Sequence, residues 1–339
     1  MVTYIIRRLI GAVIMLLIVS MATFAIFFLV PQLAGATPEG MASRYVGRTA
    51  TAETAKLAAE RLGFNDPLVV QYGRFVKGIV AGAEYDYGPG VEKCPAPCLG
   101  YSFITRQPVF PDLMNRLPVT LSLAIGAAVI WVIMGVGIGV LSALRRGTLF
   151  DRTAMTFALA GVSLPIFFTG LVSLLVFSYG NPFSFAAQGG HYTTFLDNPA
   201  EWAYNLILPW VTLAFLFAAT YARLTRAGML ETMNEDYIRT ARAKGLPEGT
   251  VVTKHGLRAA LTPILTVFGL DFGLLIGGAV LTESAYSLPG LGKYAIDAIV
   301  NQDLPKVMGV TLLAALFVVV ASLIVDLLYA VVDPRVRLA

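Results

Sequence analysis

Six apolar runs separated by polar intervals dominate the chain: 9–30, 119–144, 153–178, 206–222, 264–281 and 308–332. Each is near or above the roughly 20 residues that cross about 30 Å of hydrocarbon, 206–222 being the shortest. The pattern predicts an all-α integral membrane protein with six transmembrane helices. The longest polar interval of the C-terminal half, 232–263, predicts a helix of a different kind. Thr232 with Glu235 three residues on has the spacing of a capping box, and Gly245 followed by Pro247 is a helix stop. Between them Met229, Met233, Tyr237 and Ala241 recur every fourth residue on one face, and Glu235, Arg239 and Arg242 line another. The expected product is a short charged helix that docks on something beside a membrane.

Composition agrees with the pattern: 57% of residues are hydrophobic and 14% charged, against about 25% charged in soluble domains. The cations then orient the spans. Arg7 and Arg8 precede the first run, Arg145, Arg146 and Arg152 fill the interval after the second, and Arg335 and Arg337 close the chain. Arg223, Arg226, Arg239, Arg242, Lys244, Lys254 and Arg258 fall on that same side. The opposite short intervals hold only Lys293 and Lys306. By the positive-inside rule both termini and the docking helix face the cytoplasm of a multi-pass protein in a lipid membrane. The net charge of +4 follows from that topology and gives no reason to propose a nucleic acid partner. A cleaved secretory signal with LAGA at 33–36 is the alternative for the first run, whose length exceeds a 7 to 15 residue signal core.

The segmentation expected is a first span to residue 30, an external helical cap over 31–116, a bundle over 117–332 with its cytoplasmic loop at 223–263, and a tail at 333–339. Within the cap, Leu68, Tyr72, Phe75, Val76 and Ile79 keep a helical period, and Gly63 before Asp66 and Pro67 separates two helices. Such a cap has too little core to be a domain by itself. Cys94 and Cys98 are the only cysteines, both on the external side, where an oxidising environment favours a local disulfide. Two free thiols or half of a metal site are the alternatives; a zinc site wants four ligands, and no histidine lies nearby, so no metal site is expected. Gly126, Gly135, Gly137 and Gly139 in the second run suit close helix packing, and Pro165 predicts a kink in the third.

Three acids fall in or beside the apolar runs. Asp271 lies within the fifth, where an intramembrane carboxylate normally faces an aqueous path or a partner charge; Glu283 ends that run and Asp326 sits in the sixth. Asp271 and Glu283 are the candidate pathway residues, and structural pairing is the alternative for Glu283 and Asp326. The chain has no P-loop and no HExxH; its histidines, His191 and His255, are not at the depth of Ser163, so no catalytic residues are expected.

The stretch at 237–263, YIRTARAKGLPEGTVVTKHGLRAALTP, resembles the cytoplasmic signature loop of permease subunits of ATP-binding-cassette importers, in particular the B-type subunit of the dipeptide/oligopeptide (and nickel) family. Arg239, Thr240 and Ala241 occupy the first signature positions, Gly245 the glycine, and Pro263 closes it. RLGFNDPLVVQY from Arg61, RLPVTLSLA from Arg116, SLPIFFTGL from Ser163, TESAYSLPGLGKYAIDAIVNQD from Thr282 and VDLLYAVVDPRVR from Val325 are similar to further family blocks. Two departures stand out. A Gly-Asp-Leu-Gly-Tyr-Ser type block is split between Tyr85–Asp86–Tyr87–Gly88 and Leu99–Gly100–Tyr101–Ser102 by the cysteine-bearing insert, and Asp271 stands where the family commonly has Gln.

The resemblance implies a type I importer permease of six helices that moves di- and oligopeptides. Its implied partners are a homologous C-type permease, one or two ATPase subunits and an extracytoplasmic peptide-binding protein, in a bacterial or archaeal plasma membrane. No cofactor is implied on this chain, ATP and Mg belonging to the ATPases. Coupling to them falls to Tyr237, Arg239, Thr240, Ala241, Arg242, Lys244, Gly245 and Leu246. An ion-coupled carrier or channel using Asp271 and Asp326 is the rival expectation, and it has no use for a charged docking helix. A helix lying on anionic lipid would explain the basic residues alone.

Overall fold

The computed structural model describes residues 2–46, 51–86, 91–178, 186–276 and 279–332. Among these, five helices are long and apolar enough to cross a membrane: Ile6–Leu33, Val109–Leu144, Pro199–Thr232, Glu248–Ile276 and Leu304–Ile324. Leu149–Ser163 and Ile166–Phe177 reach that length only as a pair, bent by 105°, which is either a sixth, broken span or a re-entrant loop. The break falls at Leu164 and Pro165, as expected of a proline that removes a ladder donor and forces its predecessor out of helical geometry. Of the positions singled out above, the side chain of Asp326, the tail at 333–339 with Arg335 and Arg337, and 87–90 of the insert lie outside the described residues.

The chain forms two compact units. The first runs through Thr120 and takes in Pro289–Val320. Its opening helix, Val2–Phe24, continues through a widened π-helical turn, Ala25–Leu29, into Val30–Leu33. The widened turn lies where the Pro31 ring would otherwise press on the preceding carbonyls. Three more helices follow, Pro38–Val46, Ala52–Arg61 and Leu68–Ala81. Thr51 and Thr54 cap the second of these reciprocally. Gly63, at φ +71°, makes the turn between the second and third, the separation its sequence predicts. The cap's core is shared: Phe64, Ala58, Ala59 and Met41 pack with Phe24 and Phe28 of the opening helix and with Met308. A core this small is completed by the membrane helices beside it.

Helical periodicity omits four short strands in this unit. Ala83–Asp86 pairs antiparallel with Val91–Cys94, and Tyr101–Ser102 with Gln107–Pro108. The Cys94–Cys98 disulfide is present immediately after the first hairpin. Ser102 Oγ donates to the buried Asp303 at 2.5 Å, and Lys306 Nζ approaches the same carboxylate at 3.5 Å.

The second unit holds Leu121–Leu275 and Leu281–Leu288. Pro199–Thr232 is its central helix, burying Leu206, Trp210, Leu213, Tyr221 and Met229. The glycines of the second span serve it unequally. A Cβ at Gly135 would stand 2.6 Å from Tyr221 Cβ and one at Gly139 2.5 Å from Thr225 Cβ, whereas Gly137 has nothing within 4 Å. Gly135 and Gly139 allow close helix approach, Gly126 makes room for the Trp210 ring, which a Cβ would meet at 2.1 Å, and Gly137 has no such role. The helix boundaries differ most from expectation after residue 247. Glu248–Thr250, a π-helical turn at Val251–Leu257 and Arg258–Ile276 run on as one span. The second half of the polar interval, 248–263, is therefore continuous helix. Val251, Val252, Gly256, Ala260 and Ile264 keep a buried stripe beneath Thr253, Lys254 and Arg258.

Candidate functional site

The helix expected to dock spans Asp236–Ala243. Its expected capping box is absent: Thr232 ends the preceding helix and is buried, and Glu235 stands at the N-cap with no side-chain bond to the helix. The fourfold periodicity from Met229 is broken for the same reason, because the turn at Met233 through Glu235 resets the helical phase. Ile238, fully buried, takes the inward position with Ala241, against Val251 and Met233. Tyr237 points outward, 46% exposed. The C-terminal stop is as the glycine predicts. Gly245 adopts φ +76°, its N–H donates to Arg242 O at 2.9 Å and that of Leu246 to Ala241 O at 3.3 Å, a Schellman pair.

Electrostatics divide the helix surface. Arg242 is tied back to Glu248 through Nε at 3.1 Å and Nη2 at 2.6 Å. Arg239 makes a longer contact of 3.4 Å with Asp236, and Lys244 is exposed at the helix end. Desolvation, then the Glu235 charge, raises the Tyr237 phenol above its ordinary value. The exposed face thus offers Tyr237, Arg239, Thr240, Lys244 and Leu246, a cationic surface with two apolar contacts, while Ala241 is turned inward.

A buried ion pair supports the helix from which this element descends. Arg226 reaches Asp151 with Nε at 2.7 Å and Nη2 at 2.9 Å. Asp151 is further satisfied by Ser142 and by the Gly147 N–H at 2.9 Å, and is 4% exposed. Topology counting treats Arg226 as one more internal cation and passes over Asp151. The available signal was an acid three residues after Thr148 facing a basic residue set in an apolar helix.

Asp271 and Glu283 stand in different surroundings. Asp271 is partly buried and accepts from Tyr221 Oη at 3.0 Å, and no cation among the described residues pairs with it. Tyr221 packs against Trp131, itself beside Phe217 and Phe268. Glu283 is fully buried in the short helix Val280–Ala285. Unexpected from sequence is a hydroxyl network in which Tyr286 meets Ser173 and, at 2.6 Å, Thr212.

The chain as a whole has close relatives. Residues 135–338 match the family described as binding-protein-dependent transport system inner membrane component, and residues 1–124 match the N-terminal model of the same kind of membrane component. The chain belongs to this permease family. Among relatives, one from Brucella abortus bearing the name of a peptide transport system permease protein is 39% identical over 99% of both chains. The dipeptide transport system permease protein DppB of Alkalihalophilus pseudofirmus is 36% identical, with 99% of this chain and 100% of the relative covered. The glutathione transport system permease protein GsiC of Escherichia coli is 35% identical over 99% of each. These alignments run from end to end, so the relatives match this permease over its full length.

Proposed function

We propose that the permease forms half of the translocation pathway of an ATP-driven importer of di- and oligopeptides, and that Asp236–Ala243 is its coupling helix. The observation that carries this reading is the helix itself: eight residues with a buried apolar seat and an exposed cationic face, in a chain whose relatives of equal length carry peptide permease names. Its partners are a homologous C-type permease, one or two ATPase subunits and an external peptide-binding protein. ATP and Mg act on the ATPases, and this subunit does no covalent chemistry. Arg239 and Lys244 supply charge to the ATPase groove, Tyr237, Thr240 and Leu246 supply contact, and Arg242 and Gly245 hold the helix end in shape. Both termini lie in the cytoplasm of a bacterial or archaeal cell, with 31–116 outside, the bundle at 117–332, and 333–339 as tail.

Co-purification from detergent, with the genomic neighbours co-expressed, tests this. An ATPase subunit is expected to accompany the wild-type chain. Its absence, together with uptake that survives ATP depletion and fails with an uncoupler, would replace this reading with an ion-coupled carrier.

Asp271 is proposed to lend negative potential to the pathway and to favour peptides with a free amino terminus or basic side chains, with Glu283 acting from within the packed wall. The support for Asp271 is its partial exposure and the lack of a paired cation. Asp271→Gln should lower uptake of basic relative to neutral peptides by roughly tenfold, the worth of one charge interaction of about 1.4 kcal/mol. An unchanged ratio would exclude Asp271 from selectivity.

A further inference from the structure

The first unit contains a cavity of about 860 Å³ lined by both aromatic and basic side chains. Its aromatic lining is one cluster, Phe24, Phe28, Phe64 and Phe75. Phe24 and Phe28 belong to Ile6–Leu33, a helix long and apolar enough to cross a membrane. Its basic lining is Arg61, Arg74, Lys77 and Lys93, against Glu84 as the single carboxylate among its described lining residues. Arg61 is held by Asp86 at 2.8 Å, and Arg74 by Asp66 at 2.6 Å and by Leu62 O at 3.1 Å, which fixes both guanidinium groups and neutralises them in part. Lys77 pairs with no carboxylate among the described residues, and the 3.8 Å contact of Lys93 with Glu84 joins side chains 82% and 65% exposed, too solvated to cancel either charge. On the same helix Ile18, Met21 and Ile26 are 56%, 56% and 60% exposed, an apolar surface suited to lipid.

We propose that this cavity binds an anionic phospholipid, its phosphate against the cationic lining and its first acyl carbons against the phenylalanines. A site that joins two phenylalanines of a candidate span to cations from elements outside it matches the head-to-tail boundary of an amphiphile. A free inorganic anion would gain nothing from the aromatic lining. A zwitterionic lipid would gain nothing net from the cations. The volume falls in the range of about 300–1,000 Å³ usual for ligand sites, enough for a headgroup and the chain origins. The site is independent of the coupling helix and of the transported solute, so its test does not depend on transport.

The test is native mass spectrometry of the full-length permease, alone and in its co-purified complex, titrated with phosphatidylglycerol, phosphatidylcholine and inorganic phosphate. Phosphatidylglycerol should bind with one-to-one stoichiometry in preference to phosphatidylcholine. The double variant Lys77→Gln/Lys93→Gln, which changes exposed side chains and leaves the core untouched, should bind it roughly 30-fold more weakly, the worth of two basic residues at an anionic lipid surface. Lys56→Glu, on the external helix Ala52–Arg61 but off the cavity, should leave binding unchanged. Equal retention of both lipids, or equal loss in Lys56→Glu, would overturn the proposal. Displacement of the lipid by phosphate would show a free-anion site, and lipid bound by the isolated chain but missing from the complex would show that a protein partner covers the cavity. Either outcome also overturns it.

Discussion

Gly245→Pro will reduce coupled uptake by roughly 100-fold or more while the permease remains in the membrane. Gly245 stands at φ +76°, which the proline ring cannot adopt, and its N–H, which proline lacks, closes the helix on Arg242 O. A penalty of about 3 kcal/mol or more concentrated at this turn would unwind the C-terminal end of an eight-residue helix, which has few hydrogen bonds to lose. The substitution lies at an exposed turn with open space around it, so the core formed by Ile238, Val251 and Met233 is left to hold the bundle together. Uptake by membrane vesicles, read beside the amount of permease and of co-purified ATPase, checks this. Normal uptake by Gly245→Pro would remove the helix from the coupling role. Gly245→Ala should sit between the two, since Ala keeps the N–H and suffers only the left-handed backbone conformation.

Loss of Arg226 should have the largest effect on folding. Arg226→Leu leaves the Asp151 carboxylate buried with Ser142 and the Gly147 N–H but without its counter-charge, a class of change far more damaging than removal of a solvated pair. The membrane-inserted amount of this variant is expected to fall several-fold. Asp151→Asn combined with Arg226→Leu should recover part of the loss, because the amide can still meet Ser142 and Gly147 with no unpaired charge. Arg242→Ala supplies the contrast. Its partner Glu248 has a 57% exposed side chain, so water replaces the lost ion pair and the amount of protein should stay near that of the wild type. Quantifying the four proteins in washed membranes gives the comparison. Equal abundance of Arg226→Leu and wild type would mean that the buried pair contributes nothing to the bundle.

Both predictions rest on features that sequence exposes unequally. The glycine stop is local: a left-handed turn, a proline two residues on and a charged helix before it are all contained in a dozen residues. The ion pair joins residues 75 positions apart, and nothing in the spacing of Asp151 and Arg226 announces it. The capping box at Thr232 failed for a related reason. Ser, Thr, Asp and Glu patterns are common at helix starts, but Thr232 is buried at the end of Pro199–Thr232, and the next helix begins only after an intervening turn. The four strands that follow Leu68–Ala81 are short and mostly polar, so they carry no periodic signal to set against the helices around them.

By itself the sequence determined the class of protein, the existence of the spans, the bend at Pro165, the turns at Gly63 and Gly245, and the presence of an exposed basic helix. The reason is that hydrocarbon demands uninterrupted apolar helix, while glycine and proline constrain the backbone wherever they occur. Tertiary structure alone decided which face of the docking helix is seated, that 248–263 continues as helix instead of loop, that Asp151 locks Arg226, and that Phe24 and Phe28 share a cavity with distant cations. Those outcomes depend on which side chains meet across the fold, where burial turns an ordinary charge or aromatic ring into a specific contact.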